Sequence, residues 1–550
     1  MKKKILFLSL LISLTSLCGC KYDEKEEKII QQTPYRIVNN EGNKSTIVDA
    51  NGAPVVVCST LFRTDIFLNF DKITVSDLDD YFALSKATGF NYVDVPFMWS
   101  QLELAEDVYS FDDINTYLDM AKKYDLKLNL IWYGSFVDGQ CNTVNIPEYI
   151  SSDHETYPII KYCFANACFG DCVIMNWAGK ALLERESKAV KQLLAYVAAW
   201  NDLNDRYNPV TMFQCGQGID RLQRYRVDDF NLIYENLMTI VQAKKMVREY
   251  VSAISKAAKR SVYCPITRVE FCEQSSVTNY VSDIKNIKTV DMVCTTYLES
   301  LSLVKQGFKN FSDRFGDVMP VMDVENFATD TNDSNALVSY AVGGSGFTTY
   351  NLSSPLYYPL QTLRGVMYLR KDFTKTTLEE KFTQVNTRAT DMKEVNEFVQ
   401  KASVAVATTK KENFALFGFD RAAISSGDGT QKVYLGAPNE EGLLVDYRAN
   451  TKKSYAYTMY TNGAVYLLSK SSGTIKIKNC HLFRATTGSF DQNGFWNKNE
   501  EVTIDEDTIN FEANKLYRIK INDVEELPNA TKVAELGYKS TYSAIVERYV

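Results

Sequence analysis

The chain has 550 residues, 45% hydrophobic, 23% charged and 12% aromatic, an ordinary composition with room for two or three domains around a large core. Lysine and arginine number 61 against 68 aspartates and glutamates, a net charge of −7 that leaves no basic footprint for nucleic acid. Only two histidines occur, His154 and His481. A histidine-ligated metal centre or a histidine-based triad is therefore hard to build, so carboxylate chemistry without metal or cofactor is the expectation.

The first residues read as a targeting segment. Lys2 to Lys4 supply a positive start, and residues 5–17 form an apolar run too short to span a bilayer comfortably. It ends Leu17-Cys18-Gly19-Cys20, which resembles a bacterial lipobox and implies that Cys20 is lipidated and becomes the new amino terminus. The acidic run Lys21-Tyr22-Asp23-Glu24-Lys25-Glu26-Glu27 resembles the surface-export tag of Bacteroides-type lipoproteins; a plain solvated tether is the competing reading. The expected location is the outer membrane, held by the lipid anchor alone and exposed at the cell surface.

Residues 1–19 are thus expected as signal peptide and 20–44 as tether. Apolar stretches at 45–48 and 55–59 flank the turn Asp49-Ala50-Asn51-Gly52-Ala53-Pro54 and read as a hairpin leading into a first strand. Helical and strand patterns then alternate. Helix 75–88 precedes strand 92–97, helix 112–124 precedes strand 126–131, and helix 177–201 precedes strand 209–214. Helix 230–259 is followed by strand 261–266, helix 277–287 by strand 289–294, and helix 301–311 by strand 318–324. Residues 347–350 read as an eighth strand, with helices at 358–370 and 376–407. Eight strand–helix alternations and no G-x-G-x-x-G motif favour a (β/α)8 barrel over residues 45–408. From about residue 412 short alternating runs separated by Gly, Asn, Asp and Ser turns predict an all-β sandwich, assigned to residues 409–550. Tyr455, Tyr457, Tyr460 and Trp496 there read as core residues or, alternatively, as a sugar-binding platform.

Cysteine usage divides in two. Cys58, Cys215, Cys264 and Cys294 lie in apolar, strand-like runs and read as buried thiols. Cys141, Cys163, Cys168 and Cys172 cluster in an expected loop, where two disulfides in any of three connectivities compete with a zinc site.

In a (β/α)8 barrel the chemistry sits at the carboxyl ends of the strands. Four such ends are rich in functional groups: Trp99-Ser100-Gln101-Leu102-Glu103, Trp132-Tyr133-Gly134-Ser135, the run from Gln214 to Arg221, and Asp323 with Glu325. Tryptophan faces pack against sugar rings while amides and carboxylates take the hydroxyls, so together these ends predict a sugar pocket; core packing is the plain alternative for each tryptophan.

Over residues 45–370 the chain resembles the catalytic barrels of family 35 and family 42 glycoside hydrolases, the β-galactosidase-like group. The resemblance is carried by Thr88-Gly89-Phe90-Asn91-Tyr92-Val93 with Trp99-Ser100-Gln101-Leu102-Glu103 and Tyr109-Ser110-Phe111, by Val210-Thr211-Met212-Phe213-Gln214, and by Met322-Asp323-Val324-Glu325. Gly216-Gln217-Gly218-Ile219-Asp220-Arg221 is similar to a branch of such barrels among Bacteroides-type lipoproteins. The resemblance implies a glycosidase acting on β-linked glycans, with Glu325 as nucleophile. The family's fourth strand ends in Asn-Glu, the Glu being the acid/base, and those positions are Gln217 and Gly218 here. Asp220 is the nearest replacement acid, and its alternative is a salt bridge to Arg221 or Arg224; Glu103 and Asp138 are further candidates. Trp99, Glu103, Trp132, Tyr133, Gln214, Gln217, Tyr297 and Tyr350 are expected to shape the sugar subsites. The competing function is a binding protein that captures glycan without cleaving it, and a purely structural surface protein is a third.

Overall fold

A computed structural model describes most of residues 31–62, 75–135, 145–164, 172–219, 239–271 and 274–296, then 318–327 and 344–350, with shorter stretches elsewhere up to residue 521. Eight parallel strands close into a barrel in chain order: β1 (Val57–Leu61), β2 (Tyr92–Met98), β3 (Lys127–Tyr133), β4 (Val210–Cys215), β5 (Ile266–Phe271), β6 (Met292–Thr296), β7 (Val321–Phe327) and β8 (Gly346–Tyr350). Helices α1 (Val75–Ala87), α2 (Asp112–Tyr124), α3 (Lys180–Leu203), α4 (Ile240–Lys259) and α5 (Gln274–Lys285) fall between strands, as the alternating pattern predicts. This is a (β/α)8 barrel.

Local chemistry explains the helix ends. α2 opens on Asp112 and Asp113 and closes on Lys122 and Lys123, which complements the helix dipole at both ends. Its chain then leaves through Asp125, in the left-handed region at φ 50°, whose N–H returns to the carbonyls of Ala121 and Lys122. α4 begins with a capping box: the Thr239 hydroxyl accepts from the Gln242 N–H while the Gln242 side chain accepts from the Thr239 N–H.

Side chains alternate along each strand, so every strand has a lumen face and a helix face. The lower lumen is apolar: Val57, Tyr92, Met212, Ile266, Met292, Cys294, Met322 and Val324 form one buried cluster. Ile47, Tyr35, Ile37 and Val55 close it from below. Space there is tight enough that β8 must begin with glycine, since a Cβ on Gly346 would come within 2.7 Å of the Met322 methyl and 2.8 Å of Val57.

Several sequence expectations are corrected in detail. The fifth strand lies at Ile266–Phe271, five residues beyond the expected run, with only a short Tyr263–Cys264 strand before it. Pro265 interrupts the apolar run, and the true strand was obscured by the charges of Arg268 and Glu270, which point into the lumen. Strand 46–48 closes the expected turn, with an antiparallel bridge from Val48 to Pro54 and the Val55 N–H donating to the Ile47 carbonyl at 2.8 Å, and it also pairs with Arg36–Val38 on its other side. The helix expected from residue 230 starts at Ile240. Residues Tyr225–Asp228 and Glu235–Leu237 instead form strands that join Ile159–Phe164 and Cys172–Met175 in a four-stranded antiparallel sheet. Cys163 and Cys172 therefore sit on adjacent strands rather than in a loop. Cys141 and Cys168 lie outside the described residues.

Towards the carboxyl terminus a six-stranded and a five-stranded sheet, antiparallel throughout, make a β-sandwich-like appendage within residues 415–521. Tyr457, Tyr460 and Trp496 are placed on its strands by their backbone, and Tyr455 lies outside the described residues. No described helix is long and apolar enough to cross a membrane.

Candidate functional site

Above the apolar floor the lumen turns polar. Arg268 of β5 and Asp94 of β2 meet across it, Nη2 to Oδ2 at 2.5 Å, each 1% exposed. The Ser59 hydroxyl donates to the other Asp94 oxygen at 2.6 Å, and Thr348 lies 3.4 Å from the first. Burial works against the Arg268 charge, yet Asp94 beside it holds the guanidinium above its ordinary pKa.

Gln214 of β4 extends this pair upward. Its Oε1 accepts from Arg268 Nε at 2.8 Å, while its Nε2 donates to Glu270 Oε2 at 2.6 Å and to the Gly216 carbonyl at 3.0 Å. One amide thus reads a cation on one side and a carboxylate on the other, which fixes its orientation. The Asn129 carboxamide, with its oxygen turned to Arg268, accepts from Nη2 at 2.5 Å and Nε at 3.2 Å.

Glu270 is fully buried in the second-to-last residue of β5. The backbone locks the same place, because Ile219 N–H donates to the Glu270 carbonyl at 3.1 Å. Between these bonds the chain turns through Gly216 at φ +76° and Gly218 at φ +61°. Both angles lie in the left-handed region that disfavours a side chain. The turn after β4 is therefore stitched onto the end of β5, and a carboxylate stands at that junction although position 218 has none. Glu270 was missed in the sequence. The strict alternation of Ile266-Thr267-Arg268-Val269-Glu270-Phe271 is the signal that finds it.

A third layer, Leu61, Met98, Ile131 and Tyr133, covers this network. Tyr133 is thus a lumen residue near the carboxyl end of β3, 1% exposed, and Gln217 is 6% exposed in the β4 turn. Gln214 is in the lumen as expected of a strand-end amide, but its partners are protein groups.

The two tryptophans expected to cradle sugar do something else. Trp132 alternates with Ile131 and Tyr133 and faces the helices, fully buried beside Phe213. Its Nε1 donates to Glu186 of α3 at 2.8 Å. Trp99 is also fully buried, and its Nε1 donates to Glu103 at 2.8 Å. Glu103 in turn is fully buried and pairs with Arg185 of α3, which also reaches Asp107 at 2.8 Å and the Tyr149 hydroxyl at 2.6 Å. Core packing, the plain reading of both tryptophans, is what is found. Glu103 serves as an ion-pair anchor that fastens the hairpin after β2 to α3.

Glu186 is a fully buried carboxylate of the helix layer. It accepts from Trp132 Nε1, from the Ser135 N–H at 3.2 Å and hydroxyl at 2.5 Å, and from the Tyr250 hydroxyl at 2.8 Å. Burial raises its pKa, and the hydrogen bonds from Ser135, Tyr250 and Trp132 offset that only in part.

Asp323 of β7 is fully buried and accepts from the Ser339 hydroxyl at 2.5 Å, while Met322 and Val324 on either side of it belong to the lumen cluster. Asp323 therefore faces the helix layer. Glu325 and Tyr350 are placed by backbone alone, in the carboxyl-terminal halves of β7 and β8. A register shift between Asp323 and Asn326 lies in the ladder with β8 and spans Glu325. Asp220, Asp138 and Tyr297 lie outside the described residues.

The four cysteines read as buried thiols are free, three of them fully enclosed and Cys264 partly so. Burial pushes the Cys58 thiol up to about 12. Among the described residues no group of three or more His, Cys, Asp or Glu side chains could hold a metal ion.

These features define the class: a (β/α)8 barrel with a polar, carboxylate-bearing lumen and an antiparallel β appendage. No protein-family model and no curated protein matches the chain. Solved structures that overlap it include the catalytic domain of β-amylase from Paenibacillus polymyxa, with TM-score 0.39 and 10% identity over 53% of this chain and 91% of that one. The family 30 subfamily 8 xylanase Xyn30A of Clostridium acetobutylicum overlaps with TM-score 0.38 and 8% identity, covering 88% and 97% of the two chains. The exo-β-1,4-mannosidase Op5Man5 of Opitutaceae bacterium strain TAV5 gives TM-score 0.41 and 11% identity, over 64% and 63%. Overlaps this loose assign no residue and no substrate.

Proposed function

We propose that the protein is a glycosidase of β-galactosidase-like character, anchored by a lipid on Cys20 at the outer-membrane surface, that acts on β-linked glycans. The observation that carries this reading is the position of Glu325. It lies in the carboxyl-terminal half of the seventh strand of a closed barrel, within a motif that resembles the nucleophile strand of the family 35 and 42 enzymes. Strand ends of this kind line the active sites of such barrels. In a retaining mechanism the Glu325 carboxylate attacks the anomeric carbon and forms a glycosyl–enzyme bond, while a second carboxyl group gives its proton to the departing oxygen. Water then cleaves the intermediate with that second group acting as base. Asp220, two residues beyond the Gly218 that replaces the family's acid, is assigned this role. Gln217, Tyr133, Tyr297 and Tyr350 contribute sugar contacts.

The test is turnover of an aryl β-galactoside by the wild type and by Glu325→Gln. Loss of at least a thousandfold is expected for the variant, and equal activity refutes the assignment. A second reading, a glycan-binding protein without turnover, is favoured by the left-handed backbone at Gly216 and Gly218, which suits the acid/base position to glycine. Binding by calorimetry with no product from any of a panel of glycosides selects it.

A further inference from the structure

The chain enters the barrel from the end opposite its mouth. Gln31–Gln32 pairs in parallel with Tyr263–Cys264, immediately before β5, with Gln31 N–H donating to the Val262 carbonyl at 2.9 Å and Thr33 N–H to that of Cys264 at 3.0 Å. The Gln31 side chain, 5% exposed, donates to the Ala198 carbonyl at 3.0 Å and accepts from Asn201 at 3.3 Å, both near the carboxyl end of α3. From there the Arg36–Val38 and Thr46–Val48 hairpin passes beneath the lumen, where Ile47, Ile37 and Tyr35 seal the apolar floor. Residue 31 is therefore fixed to the amino-terminal face of the barrel, on the side of the loops that lead from helices into strands.

We infer that the protein rests on a phospholipid surface with this amino-terminal face towards the bilayer and the mouth pointing away from it. The inference rests on the proposed lipid anchor at Cys20. Ten residues lie between Cys20 and Gln31, eleven Cα-to-Cα steps that span at most about 40 Å when fully extended. The seven residues of β3 alone rise about 23 Å, with loops added at both ends. A mouth-down arrangement would lift residue 31 above the full height of the barrel and hold the tether near its limit. The mouth-up arrangement asks for no such reach. An enzyme or binder so oriented offers its strand ends to glycan arriving from outside and cannot act on the lipid headgroups beneath it.

The test uses the full lipidated chain on vesicles of phosphatidylethanolamine and phosphatidylglycerol that carry a nitroxide on a fraction of the headgroups. A fluorophore is attached through azidophenylalanine at one of two exposed sites. Lys288 lies in the loop before β6 on the amino-terminal face, and Leu104, 62% exposed, lies on the hairpin after β2 at the mouth. Quenching at 288 at least twofold stronger than at 104 is expected. Equal quenching, or stronger quenching at 104, overturns the orientation while the anchor stands. Failure of the wild type to associate with vesicles any more than Cys20→Ala does overturns the anchor, and the orientation with it.

Discussion

Asp94→Asn isolates the energetics of the lumen network, because it changes charge and almost nothing else. The Arg268 guanidinium and the Asp94 carboxylate touch at 2.5 Å with 1% of either side chain exposed. The hydrogen bonds are largely repairable: an asparagine oxygen still accepts from Arg268, and the Ser59 hydroxyl can rotate to accept from the new amide. The charge is not. With an effective dielectric constant of 20 and a charge separation of roughly 4 Å, the pair contributes about 4 kcal/mol. That agrees with the roughly 3–5 kcal/mol typical of breaking a buried pair from one side. Glu270 remains in the lumen, bonded to Gln214, and its charge still favours the guanidinium, so it compensates in part. Urea unfolding of the wild type and Asp94→Asn, followed by far-ultraviolet circular dichroism, should show a fall in stability of about 3 kcal/mol or more with unchanged slope. A loss under about 1 kcal/mol at equal slope would mean that the guanidinium is satisfied by Asn129 and Gln214 alone, and the argument from charge fails.

Three further substitutions probe the site's surroundings. Glu186 has a raised pKa in the fold, so the unfolded chain ionises first as pH rises through the ordinary carboxylate range. The native state then holds the extra proton, and stability falls with rising pH until the folded value is passed. Glu186→Gln removes that slope. Urea midpoints between pH 4.5 and 7.5 should move in its favour as pH rises, and parallel curves would refute the assignment. Gly134→Ala puts a Cβ onto the Glu186 carboxylate and the Trp132 indole nitrogen. Its expected cost is about 1–3 kcal/mol in the same unfolding assay, and a neutral result would show that the start of the loop after β3 can yield. Gly218→Glu places a carboxylate at the position proposed to lack one but must adopt φ +61°, at a cost of roughly 1–2 kcal/mol. Aryl glycoside turnover should not rise above wild type, and a tenfold gain would show that the missing carboxylate alone limits the reaction.

The sequence made the barrel legible where strands obey a simple rule. β2 to β4 are short, mostly apolar runs after helices with clear 3.6-residue periodicity, and each lies within a few residues of its expected place. β5 breaks that rule because its lumen face carries Arg268 and Glu270. A hydrophobicity reading stops at Ile266, whereas the period-two alternation continues to Phe271. The insertion sheet was illegible for a different reason. Tyr225–Asp228 and Ile159–Phe164 are far apart in sequence, and only their pairing across the loops after β3 and β4 makes them strands. The tryptophans show the limit of strand-end reasoning. Trp132 lies one residue from the end of β3, but parity turns it towards α3, and a one-residue difference decides between pocket and core.

The turn after β4 is held by more than its own residues. Here Gly216 and Gly218 both occupy left-handed backbone, Ile219 bonds to the Glu270 carbonyl, and Gln214 bonds to the Glu270 carboxylate. Each of these contacts needs the others, since the Gln214 amide can reach the Gly216 carbonyl and Glu270 together only if the turn folds towards β5. Negative charge at this end of the barrel thus stands at Glu270 on the neighbouring strand, tied through Gln214 to Arg268 and Asp94. An acid/base at Asp220 would follow a turn whose course is already set by that lumen network. Whatever chemistry this mouth performs therefore depends on the Asp94–Arg268–Gln214–Glu270 chain for the geometry of its fourth loop, even though none of those four side chains is open to solvent.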